Sequence, residues 1–278
     1  MKLNPAIRRR HSLGFTLMEI LVVMAIIVVL AALAFPIYGK VRAASNKVSA
    51  VNIMRNLGSA VGNFASQHDG DLPDEDVKGK DGWAETMKAG SENAWYNALP
   101  RAMGAKGVGD FVKEGNNAGI YTPQCVLFLP GAIYPSKKLV SPLFSIAINT
   151  KLHRGQPAAG AKSKKGAPKP DVRVGNIKNL SRTVMFIEGG LPGEAKAHET
   201  IGKTDYTGAC KGSAKNFVAR YNSKGIISFA DGHTEEVAGK DLLDSSGLII
   251  WDSTTANNPS AIIWTADPAE NPNAKPGQ

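Results

Sequence analysis

The sequence predicts an α+β fold in which a long N-terminal helix, partly transmembrane, packs against a small antiparallel β-sheet head. Three observations predict it. Phe15 to Tyr38 is an apolar run of 24 residues whose only charge is Glu19, and about 20 apolar helical residues cross the hydrocarbon core of a bilayer. From Val41 to about Gln67, Val48, Val51, Met54, Leu57, Val61 and Phe64 recur at spacings of three and four, the period of a helix with one buried face. Beyond it lie short apolar runs, 126–129, 143–148, 183–187 and 226–230, with β-branched or aromatic content and Pro, Gly or Asn at their borders, the pattern of strands.

The first element sets the topology. Arg8, Arg9 and Arg10 stand directly before the apolar run, and a basic cluster at that place stays in the cytoplasm, which puts the rest of the chain outside. The order of features, with Gly14 ahead of the run and a carboxylate five residues after it, differs from a secretory signal peptide. Ala31, Ala32 and Ala34 leave open a second reading, in which a signal peptidase cuts after the run. An ionised Glu19 inside an apolar helix is costly without a partner, so it either finds one or reaches the headgroups. Pro36 should kink or locally unwind the helix, because it lacks an N–H and crowds the preceding turn.

Gly14, Phe15, Thr16, Leu17, Met18 and Glu19 read G-F-T-L-x-E, and here the chain resembles the type IV prepilin family, which includes the type II secretion pseudopilins. The resemblance implies cleavage after Gly14 by a prepilin peptidase, N-methylation of Phe15 by the same class of enzyme, and retention of the helix as an assembly stem. It also implies that Glu19 meets the N-terminal amine of a neighbouring subunit and sets the register between stems. Pro36 stands where such stems commonly carry a proline. Further fragments, 56–73, 180–188 and 220–237, resemble a pilin-like group with a histidine ten residues before a C-terminal Asp-Gly. Tyr221 occupies that position here, which withdraws any metal or catalytic meaning of the histidine.

In domain terms the expectation is a cleaved leader over 1–14, a membrane helix over 15–38, its continuation over 39–67, a head over 68–267 and a disordered tail over 268–278. Gly58 and Gly62, four apart, suit close helix contact. The stretch 69–76, DGDLPDED, ends the helix and opens the head as an acidic loop. Trp95, Tyr96 and Leu99 suit a short helix. The segment 155–171 holds four lysines, three prolines and no large apolar residue, the composition of a flexible loop. Asp231-Gly232 between β-compatible runs signals a hairpin.

Composition narrows the chemistry. The formal charge is +9, but Lys2 and the three arginines belong to the leader, leaving +5 for the mature chain; a surplus spread along the sequence does not make a nucleic-acid surface. Cys125 and Cys210 lack the spacing of a zinc site and are either a disulfide or two buried thiols. Asp69, Asp71, Asp74, Glu75 and Asp76 lack the spacing of a calcium loop. His233 with Asp231 and Glu235 suits a metal or an exposed turn. No nucleophile elbow, zincin helix, P-loop or dinucleotide fingerprint is present, so neither cofactor, metal nor enzymatic activity is expected.

The expected function is therefore a structural subunit of a type IV pilus or type II secretion pseudopilus. Its expected partners are the prepilin peptidase, other pilin or pseudopilin subunits and the inner membrane, with the head outside the cytoplasm. Two alternatives stand beside it: a tethered surface protein whose head binds glycan or another ligand, and a tethered periplasmic hydrolase.

Overall fold

A computed structural model describes residues 16–76, 82–134, 139, 141–152, 172–194, 206–252, 254–255, 258 and 260–274, without the side chains of 33–37. The leader, the Gly14–Phe15 junction, the segment 155–171 and the side chain of Pro36 lie outside the described residues; the backbone at Pro36 is helical, so the helix does not unwind there. The chain divides into two units, Met1–Ser45 and Asn46–Gln278. In the first, the described residues are helical from Leu17 onward.

The helix α1 runs Leu17–Gln67, so its last 22 residues belong to the second unit. Ala50, Met54, Leu57, Ala60, Val61 and Phe64 are buried there, on the face that the three-and-four spacing marks. Val48, expected on that face, is 57% exposed, because the buried stripe begins only at Ala50. The helix ends where Asp69 (φ 52°) and Gly70 (φ 86°) turn the chain and the Gly70 amide donates to Ala65 O at 2.8 Å, beside the His68 amide at 3.2 Å, which caps a terminal carbonyl.

The head is built on a five-stranded sheet: β1 (Ile146–Asn149), β2 (Val184–Glu188), β3 (Lys211–Gly212), β4 (Lys224–Phe229) and β5 (Thr234–Ala238), in the order β3-β1-β2-β4-β5. The pairs β1–β2, β2–β4 and β4–β5 are antiparallel; β3 adds to β1 in parallel, so the sheet is mixed at one edge. Val126–Leu129 forms turns and irregular chain rather than a strand. Cys125, Leu127 and Leu129 are buried there, so the apolar run is explained by core packing without a sheet partner. Two short helices, α2 (Trp95–Ala102) and α3 (Val108–Lys113), precede the sheet.

Alternation along the strands divides the core in two. Ile146, Ile148, Phe186 and Ile226 share one cluster with the buried stripe of α1 and with Trp95 and Tyr96. Ala147, Ile187, Ile227, Phe229 and Val237 share the other with Phe217, Leu242, Ile249 and Trp264. Successive strand side chains point to opposite faces, so each face of the sheet has its own cover. A register shift between Val184 and Phe186 marks a bulge in β2, where one extra residue is accommodated.

The Asp231-Gly232 turn joins β4 to β5, with Gly232 at φ 89° and the Phe229 amide donating to His233 O at 2.9 Å. The turn rests on α1: a Cβ placed on Gly58 would lie 2.6 Å from Gly232 Cα, whereas one on Gly62 meets nothing within 4 Å. Only one of the two expected glycines mediates close contact, and it contacts a turn rather than another helix. About three helical turns before Gly58, the Lys47 ammonium meets Glu236 of β5 at 3.0 Å.

Residues 268–274, read from composition as tail, carry hydrogen bonds. Trp251 Nε1 donates to Pro268 O at 3.1 Å, and Asn273 both accepts from the Ile249 amide at 2.9 Å and donates to Ile249 O at 2.8 Å. Cys125 and Cys210 are both buried. Burial pushes the Cys125 thiol up, and the Cys210 thiol lies 3.8 Å from Glu75 O.

Candidate functional site

The N-terminal helix starts on Thr16, and its start has a local cause. The Thr16 amide and hydroxyl donate to Glu19 Oε2 at 2.8 and 2.9 Å, while the Glu19 amide donates to Thr16 Oγ1 at 3.2 Å. This reciprocal pair is a capping box, which satisfies donors that the first helical turn leaves free. Glu19 therefore has a partner within its own chain, in addition to the intermolecular role that resemblance implies for it. The T-x-x-E spacing that signals such a cap stands in the sequence, and it is the one signal there that reasoning from charge burial passes over. Replacing Thr16 with Ala should speed amide exchange in the first turn, measured by hydrogen–deuterium exchange in detergent, with little effect beyond Val23.

After this cap the helix is apolar around its whole circumference. Leu17, Met18, Ile20, Leu21, Val22, Val23, Met24, Ile26, Ile27, Val28, Val29 and Leu30 are all exposed, from 45% at Val22 to 84% at Leu17. A surface helix buries one stripe; a helix apolar on every side needs a membrane or other chains around it. Among the described residues no helix is long and apolar enough to cross a membrane, and the described side chains of the run extend from Leu17 to Ala32.

In the head, the turn residues expected to gather do so. His233 Nδ1 lies 2.5 Å from Asp231 Oδ1, and Nε2 lies 3.3 Å from Glu235 Oε1. The imidazole stacks on Phe229 with centroids 4.5 Å apart, and Arg182 reaches Glu235 at 2.8 Å. The ring is thereby occupied by a carboxylate at each nitrogen. Among the described residues no group of three or more His, Cys, Asp and Glu side chains could hold a metal ion. The acidic stretch 69–76 is spent on structure: Asp71 pairs with Arg173 at 2.9 Å and Asp76 with Lys211 at 3.5 Å, and the backbone of Asp74 bonds Asn93 and Trp95, both at 2.9 Å.

Sequence reasoning missed the most deeply buried charges. Arg220 is 4% exposed and lies between Glu188, 0% exposed, and Glu194, 3% exposed. Its Nε and Nη2 donate to Glu194 at 2.9 and 2.7 Å, Nη1 donates to Glu188 at 3.3 Å, and Nη2 also donates to Gly189 O at 2.7 Å. The Ile226 amide and the Tyr221 hydroxyl donate to Glu188 at 2.8 and 3.2 Å. Burial and the Glu188 carboxylate push the Tyr221 phenol up, which keeps its proton in place to donate. Tyr221, which stands in place of a histidine in the resembling group, is thus a structural hydrogen-bond donor. Nothing in the local sequence marks Arg220, because its two acids come from 26 and 32 residues away.

Residues 9–35 match the family model described as the prokaryotic N-terminal methylation motif. No curated protein and no solved structure matches the chain. The matched stretch contains Arg9 and Arg10 of the basic cluster, the Gly14–Phe15 junction, the capping pair and the exposed apolar residues Leu17 to Leu30. On that stretch the chain carries a prepilin-type N-terminus, the signature of type IV pilin-like and pseudopilin proteins.

Proposed function

We propose that the chain is a structural subunit of a type IV pilus or a type II secretion pseudopilus. A prepilin peptidase cuts it after Gly14 and Phe15 is methylated; the apolar helix anchors it in the inner membrane, with the head on the far side, until it packs among the helices of other subunits. The observation that carries this reading is a cleavage-type motif leading directly into a helix apolar on every side. Such a helix has two stable surroundings, lipid and a bundle of like helices, and assembly exchanges one for the other. Glu19, in this reading, passes from its own Thr16 to the amine of a neighbour. The head then serves as scaffold and surface.

Protein recovered from membranes of the native host should have a mature mass that begins at Phe15 and includes one added methyl group. An intact leader, or a terminus near residue 34, would sink the reading.

A further inference from the structure

We propose that the free edge of β5 and the groove beside it dock the lysine-rich segment 162–169 of a second copy of this chain. The strand β5 ends the sheet. Since the Phe229 amide bonds His233 O and hydrogen-bonded positions alternate along an antiparallel pair, Glu235 and Val237 face β4 with their backbone groups. Thr234, Glu236 and Ala238 therefore turn their N–H and C=O away from the sheet. An open edge of this kind is a template for an extended chain.

Beside it lies a groove of about 410 Å³, bounded by β5 and by Asp241, Leu242, Ile250, Asp252 and Trp264 among the described residues. Its apolar wall includes Val237, Ile250, Ile262 and Trp264, and its carboxylates are Glu235, Glu236, Asp241 and Asp252. Two of these are matched already, Glu235 by Arg182 and Glu236 by Lys47. Asp241 and Asp252 have no cation beside them among the described residues. Hydrogen bonds from Thr254 and Thr255 hold the Asp252 carboxyl below its ordinary value, so it is ready as an anion. Apolar walls with two uncompensated carboxylates suit lysine, whose aliphatic stem packs on apolar surface while its ammonium reaches an acid.

The occupant follows from charge and placement. Residues 162–169 carry Lys162, Lys164, Lys165 and Lys169 with no acid among them. The chain leaves β1 for this segment at Asn149, whose side chain donates to Trp264 O at 2.8 Å, and Trp264 lines the groove. In the antiparallel ladder from β1 through β2 and β4 to β5, the end of β1 and the start of β5 lie at one end of the sheet. Two heads aligned in parallel would present the segment of one at the level of the groove of the next. The choice of a second copy rests on the assembly reading above; the groove and its charge do not.

A labelled peptide of residues 158–171, titrated by fluorescence anisotropy against the full chain in detergent, tests this without requiring processing or assembly. Saturable binding is expected, weakened by added salt and by at least about tenfold in Asp241→Asn/Asp252→Asn, since each lost charge pair of this kind costs on the order of a decade. A peptide with its four lysines changed to Gln, which cannot disturb the fold of the chain, should not bind. Absence of saturable binding, or equal binding to the double variant, would overturn the proposal. So would binding seen only when the chain's own four lysines are changed to Gln, which would make the occupant intramolecular. Binding of a free diamine but not of the peptide would give the groove to a small amine. Failure on any of these counts leaves the mass of the mature N-terminus, and hence the assembly reading, untouched.

Discussion

Replacing Arg220 with Met is expected to destabilise the head by about 3–5 kcal/mol, because removing one member of a buried ion group strands the others without compensation. The two carboxylates left behind, on Glu188 and Glu194, are 0% and 3% exposed. Glu188 keeps the Ile226 amide and Tyr221 hydroxyl, and Glu194 keeps the Leu191 and Ile133 amides at 2.8 and 3.0 Å, so neither is bare; what each loses is the neutralising charge. Burial already pushes the Glu188 carboxyl up from its ordinary range against the pull of Arg220. Without the guanidinium it should rise further and take up a proton, and the variant should lose more stability as pH rises than the native chain does. The sign follows from linkage: a folded state that binds more protons than the unfolded state weakens as protons are withdrawn. Denaturant melts in detergent at acidic and neutral pH would measure it. A triple variant with Met at 188, 194 and 220 should recover part of the loss; a single variant as stable as the native head would refute the account.

Gly58→Val is the second large effect. A Cβ there meets backbone, Gly232 Cα at 2.6 Å and Gly232 O at 3.0 Å, and neither atom can rotate aside. Relief requires α1 and the β4–β5 turn to separate, which should cost about 1–3 kcal/mol by analogy with overpacked cores. Gly62→Ala is the matched comparison. Nothing lies within 4 Å of its Cβ, and Ala exceeds Gly in helix propensity by about 1 kcal/mol, so this variant should be more stable. Thermal melts of the two would separate close approach from propensity: the prediction fails if both glycines shift stability in the same direction.

The sequence was most legible where a feature is continuous in the chain. The end of α1 at Gln67, the cores of β2 and β4 and the Asp231-Gly232 turn all follow from local pattern, since periodicity and turn chemistry are properties of neighbouring residues. The prepilin-type N-terminus is linear for the same reason. The two-residue parallel strand β3 had no pattern to display, and Val126–Leu129 shows the converse, apolar chain buried without entering a sheet. The turn at Tyr221–Lys224 carries no glycine to signal it: Asn222 and Ser223 supply its positive φ values, 50° and 62°, where glycine is common. Arg220 was invisible in principle: a charge becomes a buried ion pair only through partners the fold brings to it.

The hydrogen bonds of Asn149 also order events in time. Its amide donates to Val184 O and to Trp264 O, a partner 115 residues further along the chain, both at 2.8 Å; the amide of Val184 in turn donates to Ile263 O at 2.8 Å. Helical turns of α1 need only local contacts to start, and a helix of about 20 residues forms in about a microsecond. The bonds from Asn149 and Val184 to residues 263 and 264, by contrast, cannot form until that part of the chain has left the ribosome, and contacts of such sequence separation close slowly. The molecule therefore comes into being from its N-terminal helix outward, and the packing around Asn149 waits for the last tenth of the chain.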